Sequence, residues 1–387
     1  MEIRIKEHIM HTNIFVLGFA IFAMFFGSGN LVFPLQIGQE TNSLGVFGFL
    51  GIFTSGILLP FAGVFAVKRY KGSYQAFFDE LGFGSRILVP LVILALLGSF
   101  GVVPRCVTVA YGGVNTLFPA LPLWVFSTFF LAICFLVGLK DSRMLSILGK
   151  YITPVKLSSL TAIIIYAIYH APSMAHINVP MLNATKCGLI QGYQTMDLFA
   201  GFFFSTLIFK HIEQNCAPGT SDKDIFWISA KSSVIGASVI ALAYAGLIYL
   251  GATYKDLLHN IPATHALPEI TRHLFGTAST GVIAIMMWTS CLATAVALNT
   301  LFADFLRMIV KDRVSKTVML SLTTGVAFSM SLLDFSGITA ILVPILNVIY
   351  PGIILFTLFS LVHPKPHQGK RIIFYSVTAI MIIRMFF

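Results

Sequence analysis

Eleven stretches of this chain are apolar for long enough to cross a bilayer, and they constrain the fold more than any other feature. They run roughly over residues 13–36, 44–67, 87–115, 120–139, 152–171, 189–210, 225–251, 277–303, 315–333, 337–362 and 372–387. A crossing helix needs about 20 apolar residues, because hydrocarbon offers backbone N–H and C=O groups no water. The runs are continuous rather than alternating ten-residue segments, so they read as helices and not as barrel strands. Composition agrees: of 387 residues 57% are hydrophobic and 10% are charged, with a mean hydropathy of +0.88. A soluble domain carries about 25% charge. The expectation is an all-α integral membrane protein, one transmembrane domain over 1–387 with no appended soluble domain.

The net charge of +10 invites a nucleic-acid reading, but the basic residues form no single patch and alternate between loops. With the N-terminus inside, the outer loops receive only Lys186, Lys255 and Arg272. Arg105 falls inside a span and Arg384 near the end, which leaves twenty of the 25 Lys and Arg residues on the cytoplasmic side, Lys156, Lys370 and Arg371 among them. This predicts a multi-pass protein of the cytoplasmic membrane with Phe387 outside and the lipid bilayer as its surroundings. No cleavable signal peptide is expected, since the run after residues 1–11 is too long and lacks a small-residue cleavage site. The five cysteines have neither zinc nor redox spacing. No Ser/His/Asp set, P-loop or dinucleotide motif stands in a credible context, so an enzyme is not expected.

The first run contains Phe25-Phe26-Gly27-Ser28-Gly29-Asn30-Leu31-Val32-Phe33-Pro34. Glycine weakens a helix, Ser and Asn compete for its backbone bonds, and Pro34 lacks an N–H. Two readings follow: a helix broken at membrane depth, lining a cavity, or a kinked helix with small residues at a packing interface. Ten spans also divide into two fives, and an odd number per half inverts the second half, as in inverted-repeat transporters. Repeat one would cover about 12–171 and repeat two about 189–362, with an extra helix at 372–387. Span 6 should then be interrupted like span 1. It opens with Gly192-Tyr193-Gln194-Thr195-Met196-Asp197 and contains Gly201 and Ser205.

Phe22-Ala23-Met24-Phe25-Phe26-Gly27-Ser28-Gly29-Asn30-Leu31-Val32-Phe33-Pro34 resembles the first-helix signature of the branched-chain amino acid:cation symporter (LIVCS) family. Further matches follow in family order: Pro104-Arg105-Cys106-Val107-Thr108-Val109, Gly149-Lys150-Tyr151-Ile152-Thr153-Pro154 and the span 6 motif just given. Tyr244 to Ala252, Cys291-Leu292-Ala293-Thr294-Ala295 and Pro344 to Pro351 complete the series. The resemblance implies a LeuT-type five-plus-five inverted repeat with discontinuous helices 1 and 6, plus one further C-terminal helix. It implies import of leucine, isoleucine or valine by cation symport, Na⁺ being the expected ion; the alternatives are proton coupling or another amino-acid substrate on the same fold, or a membrane amino-acid sensor that binds without transport. The chain departs from the family's pattern in stopping within the eleventh span, in Gly112 for a glutamate and in Ser205 for a glycine. Most consequential is Ala293, which removes one of a pair of span 8 hydroxyls.

A zwitterionic substrate must find replacements for water around both charges. Unwinding span 1 exposes amides for a carboxylate and carbonyls for an ammonium or Na⁺. Candidate substrate residues are Phe25, Phe26, Gly27, Ser28, Gly29, Asn30, Asp197, Phe199 and Gly201. The phenylalanines serve either as a pocket or as packing, and Asn30 and Asn299 either as ligands or as glue between helices. By resemblance, Na⁺ would sit on the carbonyls of Ala23, Phe26 and Ser290 and the Thr294 hydroxyl, unless Ser290 and Thr294 merely bond their own helix. Arg105 and Asp197, at matching depth, form either an outer-gate ion pair or separate partners, Asp197 capping a half-helix and Arg105 bonding carbonyls. No cofactor beyond the coupling ion is expected, and the oligomeric state is left open.

Overall fold

The computed structural model describes residues 2–139, 143–172, 180–215, 221–363 and 368–386; Lys140, Lys365 and Phe387, used in the topology above, lie outside them. All regular structure among the described residues is helical. The first apolar run is two helices, α1 (Glu2–Phe25) and α2 (Ser28–Thr41), parted at Phe26 and Gly27. A turn with Asn42 at φ 45° leads to α3 (Gly45–Phe53), which passes through a π-helical turn at Thr54–Leu58 into α4 (Leu59–Lys68). A short helix α5 (Tyr74–Asp79) precedes α6 (Ser85–Leu97) and α7 (Val102–Asn115). The third run is thus also interrupted, which was not expected. Gly98 and Gly101 flank the interruption, and a Cβ at Gly98 would meet Leu94 O at 2.8 Å and Phe302 at 2.9 Å.

Then follow α8 (Leu123–Leu139), α9 (Arg143–Tyr169), α10 (Met181–Gln194) and α11 (Asp197–Asn215). The expected break in span 6 is present: α10 stops at Gln194, Met196 has φ 60°, and α11 starts at Asp197. The helix begins at Met181 rather than 189, because Asn183, Thr185 and Lys186 dilute the apolar signal of its first turns. The chain continues as α12 (Asp222–Thr253), α13 (Ala266–Phe275), α14 (Thr280–Ile309), α15 (Lys316–Ser331), α16 (Asp334–Val362) and α17 (Gln368–Phe386). Among the described residues, five helical stretches are long and apolar enough to cross a membrane by length and composition: 28–68, 85–115, 223–253, 277–309 and 334–362. The segments on either side of the breaks are shorter. The segment between α12 and α14 holds α13, which buries Leu267, Ile270 and Thr271.

At the centre, α1 and α2 pack along α12, while α3 and α4 pack along α10 and α11. Backbones touch where glycines meet. A Cβ at Gly251 would collide with Leu35 O and one at Gly38 with Ile248 O; Gly188 and Gly51 stand in the same relation to Gly48 O and Thr185 O. In lipid, where apolar surface gives no drive between helices, such close backbone approach supplies the attraction. Around this core α14 packs against α7, α8 and α9.

Candidate functional site

The breaks border one pocket, lined among others by Met24, Phe25, Gly27, Ser28, Gly29, Asn30, Asp197, Ala200, Phe204, Thr294 and Leu298. Six of the nine expected substrate residues, Phe25, Gly27, Ser28, Gly29, Asn30 and Asp197, are therefore brought together. The other three are not. Phe26 packs against Phe22 and Tyr244, with centroids at 4.9 and 6.5 Å. Phe199 lies on Tyr350 at 4.5 Å, and a Cβ at Gly201 would meet Pro60 O at 2.7 Å. Helical periodicity explains part of the split: Asp197, Ala200 and Phe204 share one face of α11 and residue 199 lies off it, while Gly201 is held against Pro60.

A polar knot ties the breaks to each other. Asn30 Nδ2 donates to Asp197 Oδ2 at 2.8 Å and also to the Tyr244 hydroxyl, which in turn donates to Asp197 Oδ2 at 3.3 Å. Asn30 Oδ1 accepts from Gly27 N at 2.8 Å and so caps α2. Thr195 Oγ1 accepts from Asp197 N at 3.4 Å. The side chains of Asn30, Asp197 and Tyr244 are all buried. Tyr244 belongs to a motif of the family resemblance, but nothing in its neighbours' chemistry marked it as a site residue. Cys106, on α7, donates from Sγ to Ser28 Oγ at 3.4 Å.

The expected Arg105–Asp197 gate pair is not formed. Arg105 Nη1 donates to Gln194 O at 2.8 Å and Nη2 to Thr339 Oγ1 at 3.2 Å, with the guanidinium over the rings of Phe33 and Phe335. Gln194 is the last residue of α10 and Asp197 the first of α11. Each charge is met by the helix end of opposite partial charge, the cation at a C-terminus and the anion at an N-terminus. The two half-helix ends thus take the place of a direct pair.

A third charge follows the same rule. Lys156 of α9, placed by the charge count on the cytoplasmic side, is buried and donates from Nζ to Phe26 O at the C-terminal end of α1. This carbonyl was expected to hold Na⁺. Of the other expected ligands, Thr294 Oγ1 donates to Ser290 O at 3.3 Å, so both engage their own helix. Thr294 still borders the break, its Oγ1 3.3 Å from where a Cβ on Gly27 would stand. Gly27 N turns to Phe25 O and Asn30 Oδ1, rather than closing a helical bond on Ala23 O. Of the expected Na⁺ ligands, the Phe26 carbonyl is thus the one already met by a cation, the Lys156 ammonium. The available signal for Lys156 was its place inside the 152–171 run rather than before it.

A family profile described as "Branched-chain amino acid transport protein" matches residues 10–386. The chain is similar to the branched-chain amino acid permease BraB of Bacillus subtilis, 26% identical over 361 residues, covering 90% of this chain and 79% of the permease. It is similar to the branched-chain amino acid permease BrnQ of Escherichia coli, 27% identical over 370 residues, covering 93% and 83%. Among solved structures, Mhp1, a nucleobase-cation-symport-1 family transporter closed around bromovinylhydantoin, matches with a TM-score of 0.65. That match spans 89% of this chain and 76% of Mhp1 at 15% identity. A Na⁺-coupled sialic acid symporter, outward-open with substrate bound, matches with a TM-score of 0.56 over 95% and 88% of the two chains at 11% identity. These likenesses establish the LeuT-type fold.

Proposed function

We propose, from the premise that the chain belongs to the branched-chain amino acid transport protein family, that it imports leucine, isoleucine and valine across the cytoplasmic membrane. It is a transporter and not an enzyme, as its relatives are. The observation that carries the reading is the pocket where both discontinuous helices end, lined by both polar and apolar residues. The first amides of α2, at Ser28 and Gly29, have no intrahelical acceptor and suit a substrate carboxylate. The Asp197 carboxylate suits the ammonium. Met24, Leu97, Val102, Phe204 and Leu298 line the remaining wall, where an aliphatic side chain loses its contact with water.

Alternation between the two sides would be carried by the half-helices, whose ends meet at the polar knot. The sodium expectation drawn from the family resemblance competes with the Lys156 ammonium for the Phe26 carbonyl. Purified protein in proteoliposomes should accumulate labelled leucine, with unlabelled isoleucine and valine competing and glutamate or lysine not. Discrimination among the three aliphatic substrates should be modest, since one methylene in an apolar pocket is worth about 1–3 kcal/mol. Uptake that ignores all three would refute the substrate assignment.

A further inference from the structure

The break at Phe26 and Gly27 leaves a carbonyl without its helical donor at the negative end of α1. In a bilayer such an oxygen must be met by protein, water or an ion. Here it is met by the Lys156 Nζ, with 4% of the residue exposed. The ammonium also lies over two ring faces, 4.6 Å from the Phe26 centroid and 5.5 Å from that of Phe22, an arrangement that favours a cation. Among the described residues no carboxylate makes an ion pair with it. Its charge is therefore matched by the helix end and the aromatic faces.

A free Na⁺ at the same place would need several hard oxygens. The Phe26 oxygen is engaged, and Ala293 presents a methyl where the family resemblance leads to a hydroxyl. A second cation on the Phe26 carbonyl would also face the ammonium at close range, where repulsion is strong in a medium of low dielectric. We propose that the Lys156 ammonium is a tethered replacement for the coupling Na⁺: it fills the cation position at the end of α1, and substrate exchange runs without Na⁺.

The inference rests on reading the chain as a branched-chain amino acid transporter, and the test separates the two. Proteoliposomes loaded with unlabelled leucine are assayed for entry of labelled leucine in Na⁺ and in choline buffers, and purified protein is assayed for saturable binding of radiosodium. The expected result is equal exchange in both buffers and no saturable radiosodium binding. Lys156→Gln, which keeps a donor but removes the charge, should lower exchange by about tenfold or more, since one partner of a buried charge arrangement is lost. Saturable radiosodium binding by the wild type, exchange that requires Na⁺, or undiminished exchange by Lys156→Gln would each overturn the proposal. Absence of leucine exchange in every salt would instead refute the transport reading, and radiosodium binding would still decide the role of the lysine. The wild-type measurements hold even if the variant does not fold.

Discussion

At the scale of single residues the site is built by satisfying polar groups that cannot be left bare in hydrocarbon. The Tyr244 hydroxyl accepts from Asn30 and donates to Asp197, so Tyr244→Phe leaves both with a buried vacancy. That costs about 1–3 kcal/mol and should raise the leucine concentration for half-maximal uptake about tenfold, with expression retained. Unchanged half-saturation would detach Tyr244 from the substrate site. Asn30 and Asp197 were legible in the sequence because polar side chains inside an apolar run must have partners. Lys156 carried the same signal inside the 152–171 run, but the charge count assigned it to the cytoplasmic side; Tyr244 carried none, since position along a helix does not say which way the helix is turned. The same limit explains why Phe199 was expected in the pocket and Ala200 and Phe204 were not. The Arg105–Asp197 pairing failed for another reason: matching depth ignores competing partners, and Arg105 met Gln194 O at the end of α10 while the Asp197 carboxylate met Asn30 and Tyr244.

At the scale of elements, the two discontinuities in spans 1 and 6 were legible from glycine, serine and asparagine in apolar runs. The interruption between α6 and α7 was not, because Gly98-Ser99-Phe100-Gly101 is also what a packed membrane helix tolerates. Packing between elements depends on backbone contact, and this gives a sharp contrast. Gly251→Val should abolish a monodisperse size-exclusion peak, because its Cβ would fall on the backbone of Leu35. Gly281→Ala, with nothing within 4 Å of the added atom, should leave the peak intact and give a small gain from helix propensity. Equal tolerance of both changes would mean that α2 and α12 are not in the contact described here. The attachment of α17 offers a second test. Lys370 Nζ, fully buried, donates to Tyr70 at 2.7 Å and pairs with Glu80 at 3.2 Å. Removing one partner of such a pair costs on the order of 3–5 kcal/mol, so Glu80→Ala should lower the thermal midpoint in detergent.

At the scale of the whole molecule, the membrane class was plain from hydropathy, and the family resemblance supplied the LeuT-type arrangement that the solved structures match. Orientation rests on the charge asymmetry. Lys370 and Arg371 touch Glu80, and Arg371 Nε donates to Glu80 O at 2.9 Å, which puts the start of α17 beside the loop carrying Lys68, Arg69, Lys71 and Arg86. If that loop is cytoplasmic, α17 starts at the inner edge and residue 387 emerges outside. A C-terminal reporter that works only in the cytoplasm should then stay silent; strong activity would mean that α17 does not cross.

Lys156 bears finally on voltage. A diffusible Na⁺ that accompanies its substrate carries one elementary charge through the membrane field, worth about 2.3 kcal/mol per 100 mV. A lysine rooted in α9 returns with its helix after every cycle, and a zwitterionic amino acid carries no net charge. With the ammonium on the Phe26 carbonyl, that position delivers no current to the cell interior. Any electrical signal that accompanies leucine entry has to be carried elsewhere in the protein.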